Sequence, residues 1–194
     1  MRNNIYLERY AWPGPAIDSK PKAGTKIIVV IPCFHEPGII VSLNSLLQCT
    51  APDCLVEVLI VINHGENEEA HIKNYNIGSA IEIDNWCNSN SNDQISFRSI
   101  KAFDLPKKHA GVGLARKIGM DEAVRRFKML HEERGVIVCF DADSKCSQNY
   151  LTEIYDRFSK VNDINVALLY FEHPLSGLLS SATYEGIINY ELHL

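Results

Sequence analysis

Asp141 and Asp143 are the residues of this sequence whose type and spacing most clearly could do chemistry. They flank Ala142 where the apolar run Val136 to Phe140 ends. In an extended chain, residues i and i+2 point the same way, so the spacing predicts two carboxylates on one side. Carboxylates held together repel, and a cation relieves the repulsion. Their hard oxygens suit Mg²⁺ or Mn²⁺, ions that join one or two protein carboxylates to substrate phosphates. A metal held in that way can stabilise a diphosphate leaving group. The ordinary alternative is an acidic turn, because Asp is common after strands.

Other reactive side chains give weaker patterns. His35, His64 and His109 stand near predicted strand ends or helix starts, where hydrogen-bonding or surface roles are favoured over catalysis. The six cysteines, Cys33, Cys49, Cys54, Cys87, Cys139 and Cys146, form no Cys-x-x-Cys pair, and no His pair stands at zinc spacing. They are expected to be reduced, buried small hydrophobes. Gly111-Val112-Gly113 begins like a dinucleotide loop, but Arg116 occupies the place of the third glycine and no buried strand leads directly into it. No Walker sequence is present.

These residues need a scaffold, and the 194-residue chain is long enough to build one with a real core. Its composition, 46% hydrophobic and 22% charged, is that of a soluble globular protein. The net charge is −5 and the basic residues are scattered, which argues against a nucleic-acid partner. No segment approaches the ~18 apolar residues of a membrane helix, and Met1-Arg2-Asn3-Asn4 leads into no hydrophobic signal region. A cytoplasmic protein is expected, with peripheral membrane contact left open.

Residues 1–25, rich in Pro and Gly, read as an irregular lead-in, followed by one domain over 26–194. Lys26 to Ile31 is a β-branched run stopped by Pro32, as suits a strand buried on both faces. Ile39 to Cys49 has helical spacing, with Ile40, Leu43, Leu46 and Leu47 on one face and Pro37 in the first turn. Val56 to Ile62 is a second strand, ending in the polar turn Asn63 to Asn67. Residues 66–80 carry a weak helical pattern, and Asn88 to Asp93 reads as a surface loop. A strand over Ile95 to Ala102 precedes a clear helix through Met120 to Leu130. Val136 to Phe140, a helix over Asn149 to Phe158 and a strand over Val166 to Phe171 complete the pattern. Strands alternating with helices predict an α/β fold, a mostly parallel central sheet with helices on both faces. Ligands of such sheets sit outside the carboxyl ends of the strands. The candidates there are Phe34-His35-Glu36, Asn63-His64 and Asp141-Asp143.

Four landmarks, in order across residues 27–158, resemble family 2 glycosyltransferases of the GT-A fold. Val29-Val30-Ile31-Pro32-Cys33-Phe34-His35-Glu36 is similar to that family's first strand, which ends in Pro, a variable residue, an aromatic, often Asn, and Glu. The Leu-rich helix follows as Leu43 to Leu47. Leu114-Ala115-Arg116-Lys117 stands where the family carries Ala-Arg-Asn, and Asp141-Ala142-Asp143 follows as the Asp-x-Asp motif. The resemblance implies a nucleoside pocket lined by Pro32, Phe34 and Glu36, with Asn63 beside the base edge. It places Arg116 at the diphosphate, Asp141 at the ribose or the metal, and Asp143 on the metal. It implies a nucleoside-diphosphate sugar as donor, Mg²⁺ or Mn²⁺ as cofactor, and inverting transfer to an acceptor hydroxyl that is not identified.

Two departures qualify the implication. The family's Asp-Asp-Gly-Ser after the second strand is replaced by Asn63-His64-Gly65-Glu66, so the donor is open between UDP and GDP. Asn offers donors and an acceptor where Asp offers acceptors alone. No segment matches the acidic catalytic base that the family carries downstream, and Glu172 and Glu185 lack its surrounding pattern, so both are assigned to the surface. The acceptor side is therefore expected to be incomplete. The rivals are a non-catalytic nucleotide-sugar-binding module and a sugar-nucleotide nucleotidyltransferase. The latter would carry a basic Gly-rich loop where Cys33 to Glu36 stand.

Overall fold

The structure is a computed structural model that describes residues 4–14, 17–161, 164–173, 175, 177 and 179–193. The elements run α1 (Ile5–Arg9), β1 (Thr25–Cys33), α2 (Ile39–Leu47), β2 (Leu55–Gly65), α3 (Ala70–Asn90), β3 (Ile95–Leu105), α4 (Val112–Leu130), β4 (Val136–Cys139), α5 (Tyr150–Lys160) and α6 (Ser181–Glu191). Two compact units divide the chain, Met1–Lys160 and Val161–Leu194.

In the first unit the four strands form one parallel sheet in the order β3-β2-β1-β4. β1 lies inside it, paired with β2 from Ile27↔Val56 to Cys33↔Ile62 and with β4 from Ile27↔Val136 to Val30↔Cys139. Ile27 to Ile31 are consequently fully buried, the outcome expected of an uninterrupted apolar run in a parallel sheet. Alternate residues serve opposite layers. Ile28, Val30, Leu59 and Val61 pack with Ala115, Ile118, Ala123 and Phe127 of α4. Ile27, Val29, Ile31, Val58 and Ile60 pack with residues of α2, α3 and α5. The α/β class, with a parallel sheet and helices on both faces, is therefore the fold observed.

The order of the strands also places a crevice. From β1 the chain steps outward to β2 and β3 with α2 and α3 on one face. It then returns across the other face through α4 and lays β4 on the far side of β1. Right-handed crossovers require that change of face when the direction reverses. The reversal falls between β1 and β4, and the carboxyl ends of those two strands are where such sheets open a crevice. Close approach of α4 to the sheet depends on Gly119, where a Cβ would lie 2.3 Å from Val30 Cγ1 and 3.0 Å from Val61 Cγ2.

Several boundaries differ from the pattern-based reading. The lead-in contains α1, capped by Asn4, whose side chain accepts from the Leu7 N–H at 3.2 Å; Pro15 and residues 1–3 lie outside the described residues. Tyr6 Oη donates to Asp121 Oδ1 at 2.6 Å and the Trp12 N–H to Asp121 Oδ2 at 2.7 Å, so the lead-in is tied to α4. α3 runs to Asn90 and takes in half of the expected polar loop. Its buried face is Asn76, Ala80, Ile83 and Cys87, a true helical spacing that a polar and a small residue had hidden. Asn63, His64 and Gly65 extend β2 as buried residues and do not form an exposed turn. No strand forms over Val166 to Phe171. In the second unit, Ser180 caps α6 by accepting from Thr183 N at 3.2 Å, and the His173 N–H donates to Glu191 Oε1 at 2.8 Å. Glu172 and Glu185 are exposed there.

Candidate functional site

Beyond β1 the chain makes a sharp elbow. Pro32 is buried in the last part of the strand, Phe34 is 43% exposed, and His35 adopts a left-handed φ of 46°. The elbow is held by Asn76 of α3, whose Oδ1 accepts from the His35 N–H at 2.8 Å while its Nδ2 donates to the Asn63 carbonyl at 3.2 Å. One side chain thus joins the carboxyl ends of β1 and β2. Glu36 Oε1 accepts from the Gly38 N–H at 2.7 Å, which commits that oxygen to the start of α2.

Beyond β4, the Phe140 N–H still donates to the Val30 carbonyl at 3.0 Å, and then the chain turns. Ser144 N donates to the Asp141 carbonyl at 3.1 Å, so Asp141 to Ser144 form a tight turn. The extended geometry assumed for the two carboxylates is therefore corrected: they project from a turn, and the strand rule of alternate residues does not govern them. The turn is fastened to α2 by Ser42, whose Oγ donates to the Ala142 carbonyl at 2.6 Å, with Ala142 buried and both aspartates exposed.

Arg116 meets this turn from α4. Its Nη2 donates to Asp141 Oδ1 at 2.6 Å, while its Nε is buried without a partner among the described residues. α4 begins at the carboxyl edge of the sheet after Gly111, which has φ 142°, and no side chain caps its first amides. A helix N-terminus with free N–H groups and a guanidinium one turn further on favours an anion.

A second polar cluster lies at the ends of β2 and β3. His64 is buried and stacked on Phe103 at 4.6 Å, with Nε2 3.7 Å from Asp104 Oδ1. Burial holds its imidazole below the usual histidine range, more than the nearby Asp104 charge raises it. The hydrogen bond from Lys73 Nζ, 2.5 Å from Asp104 Oδ1, is the chief cause that lowers the Asp104 carboxyl. Asn63 Oδ1 and His64 Nδ1 are buried with no partner among the described residues. An unpaired buried acceptor of this kind is costly to leave unmatched, and here it borders the elbow that Asn76 braces.

Among the sequence-derived candidates, the structure joins Arg116 to Asp141 directly and links Asn63 to the Phe34–Glu36 elbow through Asn76. Asn76, Ser42, Lys73 and Asp104 had no signal of their own, because each acts on a strand end distant in sequence. The expectation that the cysteines are buried is corrected in part. Cys33 and Cys87 are buried, Cys49, Cys54 and Cys146 are half-buried, and Cys139 is exposed on β4, the edge strand. Burial pushes the Cys33 thiol up to about 12.

Asp141 and Asp143 supply hard oxygen donors, and among the described residues no group of three or more His, Cys, Asp or Glu is arranged to hold a metal. Two carboxylates on one turn form no closed protein cage; a cation held by them would need its remaining ligands from substrate phosphates and water. A cavity of about 380 Å³ lies elsewhere, between Leu46, Cys49, Pro52, Val56 and Ile95 near the amino ends of β2 and β3. No helix of the described residues is long and apolar enough to cross a membrane.

No protein-family model and no curated protein sequence matches this chain. Among solved structures, it is similar to "S. aureus TarS 1-349" at 15% identity and a TM-score of 0.44, covering 74% of this chain and 38% of that one. It is likewise similar to "S. aureus TarS 1-349 in complex with UDP-GlcNAc" at 14% identity and a TM-score of 0.45, covering 74% of this chain and 37% of that one. The chain thus spans less than two fifths of those chains.

Proposed function

We propose that this chain binds a nucleoside-diphosphate sugar at the carboxyl edge of its sheet and belongs to a metal-dependent glycosyltransferase of GT-A type. The observation that carries the reading is the meeting of Arg116 with the Asp141-Ala142-Asp143 turn beside the β1–β4 switch point. A ligand there is flanked by the aromatic elbow at Phe34, the free amides of α4 and a guanidinium. Those groups suit a nucleoside joined to a diphosphate. Pro32, Phe34 and Glu36 would wall the nucleoside, and the unpaired Oδ1 of Asn63 would accept from a base N–H. Arg116 would exchange its bond to Asp141 for phosphate oxygens, which frees that carboxylate.

Asp143, with Asp141, would then hold Mg²⁺ or Mn²⁺. Bound there, the ion supplies charge neutralisation for the departing diphosphate. Transfer to an acceptor hydroxyl would proceed with inversion if a carboxylate base activates that hydroxyl. The base is assigned to no described residue.

Isothermal calorimetry with UDP- and GDP-sugars, with and without Mn²⁺, tests the proposal. Metal-dependent binding of one of them is expected. No metal-dependent binding of any nucleotide sugar would overturn it, and binding with neither hydrolysis nor transfer would reduce the chain to a binding module.

A further inference from the structure

The nine residues after Phe140 form no helix or strand, and of them Ala142 is buried in the core. They descend along α2 as a strap. Ser42 Oγ donates to the Ala142 carbonyl at 2.6 Å, Cys146 N donates to Ser45 Oγ at 3.3 Å, and Thr50 N donates to the Gln148 carbonyl at 2.8 Å. Between the last two contacts, Cys49 Sγ and Cys146 Sγ stand 3.5 Å apart, although 97 positions separate them in sequence. Ser45 Oγ lies 3.5 Å from Cys146 Sγ as well. Both thiols are half-buried, and Cys49 also lines the cavity of about 380 Å³ that opens beside Leu46 and Pro52.

We propose that Cys49 and Cys146 are a thiol pair that closes to a reversible disulfide, stapling the segment after Asp143 to α2. The two sulfurs need to approach by about 1.5 Å to reach the ordinary bond length of about 2.05 Å. That movement is small for a strap held to its helix by single hydrogen bonds. The pair is also poised for it. Cys146 is held below the usual thiol range chiefly by the hydrogen bond from Cys49, opposed by burial and aided by Ser45, while that same bond holds Cys49 above its usual range. The contact between the sulfurs thus favours the thiolate at Cys146, the form that attacks a disulfide.

With a low-molecular-weight disulfide as oxidant, the Cys146 thiolate attacks one of its sulfurs and expels the other half as a thiolate. Cys49 then loses its proton and attacks the Cys146 sulfur, expelling the second half. Two electrons and two protons pass from the protein to the reagent, which leaves as two thiols. The consequence is local. The Asp141 to Ser144 turn, now anchored by Ser42 and one disulfide, loses freedom to move away from α2. The proposal does not depend on which ligand the carboxyl edge takes.

The reduced 194-residue chain is incubated with oxidised glutathione, alkylated with iodoacetamide, digested and analysed by mass spectrometry. A peptide pair linked through Cys49 and Cys146 is expected, lost on dithiothreitol treatment and absent from C49S, while C139S retains it. Amide exchange over residues 141–149 should be slower in the oxidised chain. The proposal is overturned if Cys49 and Cys146 are alkylated or glutathionylated separately, or if the only linkage formed involves the exposed Cys139. Because C146S alters the strap itself, C49S is the variant on which the outcome rests.

Discussion

Arg116 and Arg126 ride on the same helix, α4, and are put to opposite uses. Arg126 is fully buried, and its guanidinium is matched throughout: Nε and Nη2 donate to Glu57 Oε2 and Oε1 at 2.5 and 2.6 Å, and Nη1 donates to the Ser19 carbonyl at 2.9 Å. Glu122 stands 3.6 Å from the same Nη1 and also receives Arg125. Arg116 lies at the open edge, one-third exposed, with one bond to a largely exposed Asp141 and an unmatched Nε. A charge taken out of water must find all its partners inside the protein. A charge that has to receive a ligand must keep some of its donors free. The helix therefore has a fully satisfied buried end and a partly unsatisfied end at the open edge, as the proposed site requires.

The contrast can be broken most severely at the buried end. Arg126→Ala removes both close hydrogen bonds to the buried Glu57, leaving it only Arg98 Nε at 4.0 Å, and is expected to lower stability by about 3–5 kcal/mol, read as a fall in the urea midpoint. The double variant Glu57→Leu with Arg126→Met should recover most of that loss, since apolar replacement of a buried pair is often close to neutral. Failure of the double variant to recover would mean that the contact to Ser19, and with it the lead-in, carries the stability.

Gly119→Ala comes next. The added methyl overlaps Val30, and overpacking of this kind costs roughly 1–3 kcal/mol. It should also weaken nucleotide binding, because moving α4 off the sheet carries Arg116 away from Asp141. A stable variant with unchanged binding would separate helix placement from the site.

At the open end the stability effects shrink while the binding effects grow. Asp143→Ala should change stability by no more than about 0.5 kcal/mol and abolish metal-dependent nucleotide binding in calorimetry. A large loss of stability with binding intact would make Asp143 structural. Arg116→Ala should likewise remove at most about 1 kcal/mol, the worth of an exposed ion pair, and should weaken binding in the presence and absence of metal alike.

The smallest effect belongs to His64. Its folded pKa lies below the unfolded value near 6.5, so the unfolded chain binds the proton more readily. Its contribution to stability is fully present above pH 6.5 and is lost as the pH falls through the folded pKa. Urea midpoints between about pH 8 and about pH 5 should decline in the wild type more than in His64→Gln. Equal slopes would show that other groups govern this range.

Local pattern was enough for part of this architecture. Lys26 to Ile31 and Val56 to Ile62 are too apolar to be anything but interior strands, and the placement of Asp141 and Asp143 at a strand end follows from Val136 to Phe140. α3 was half-hidden, because Asn76 and Ala80 occupy places where an apolar face announces itself. The strand expected over Val166 to Phe171 did not form, since an apolar run specifies extended chain only where a neighbouring strand accepts its hydrogen bonds.

What the residues determined alone was the class of fold and the identity of the acidic turn, both of which depend on neighbours a few positions away. Only the tertiary structure decided that β4 sits beside β1, that Arg116 reaches Asp141, that Asn76 ties two strand ends together and that Cys49 meets Cys146. Each of those contacts closes a long loop of chain. Whether such a loop closes depends on the packing of α4 and α2 on opposite faces of the sheet, which periodicity along a strand or helix does not encode.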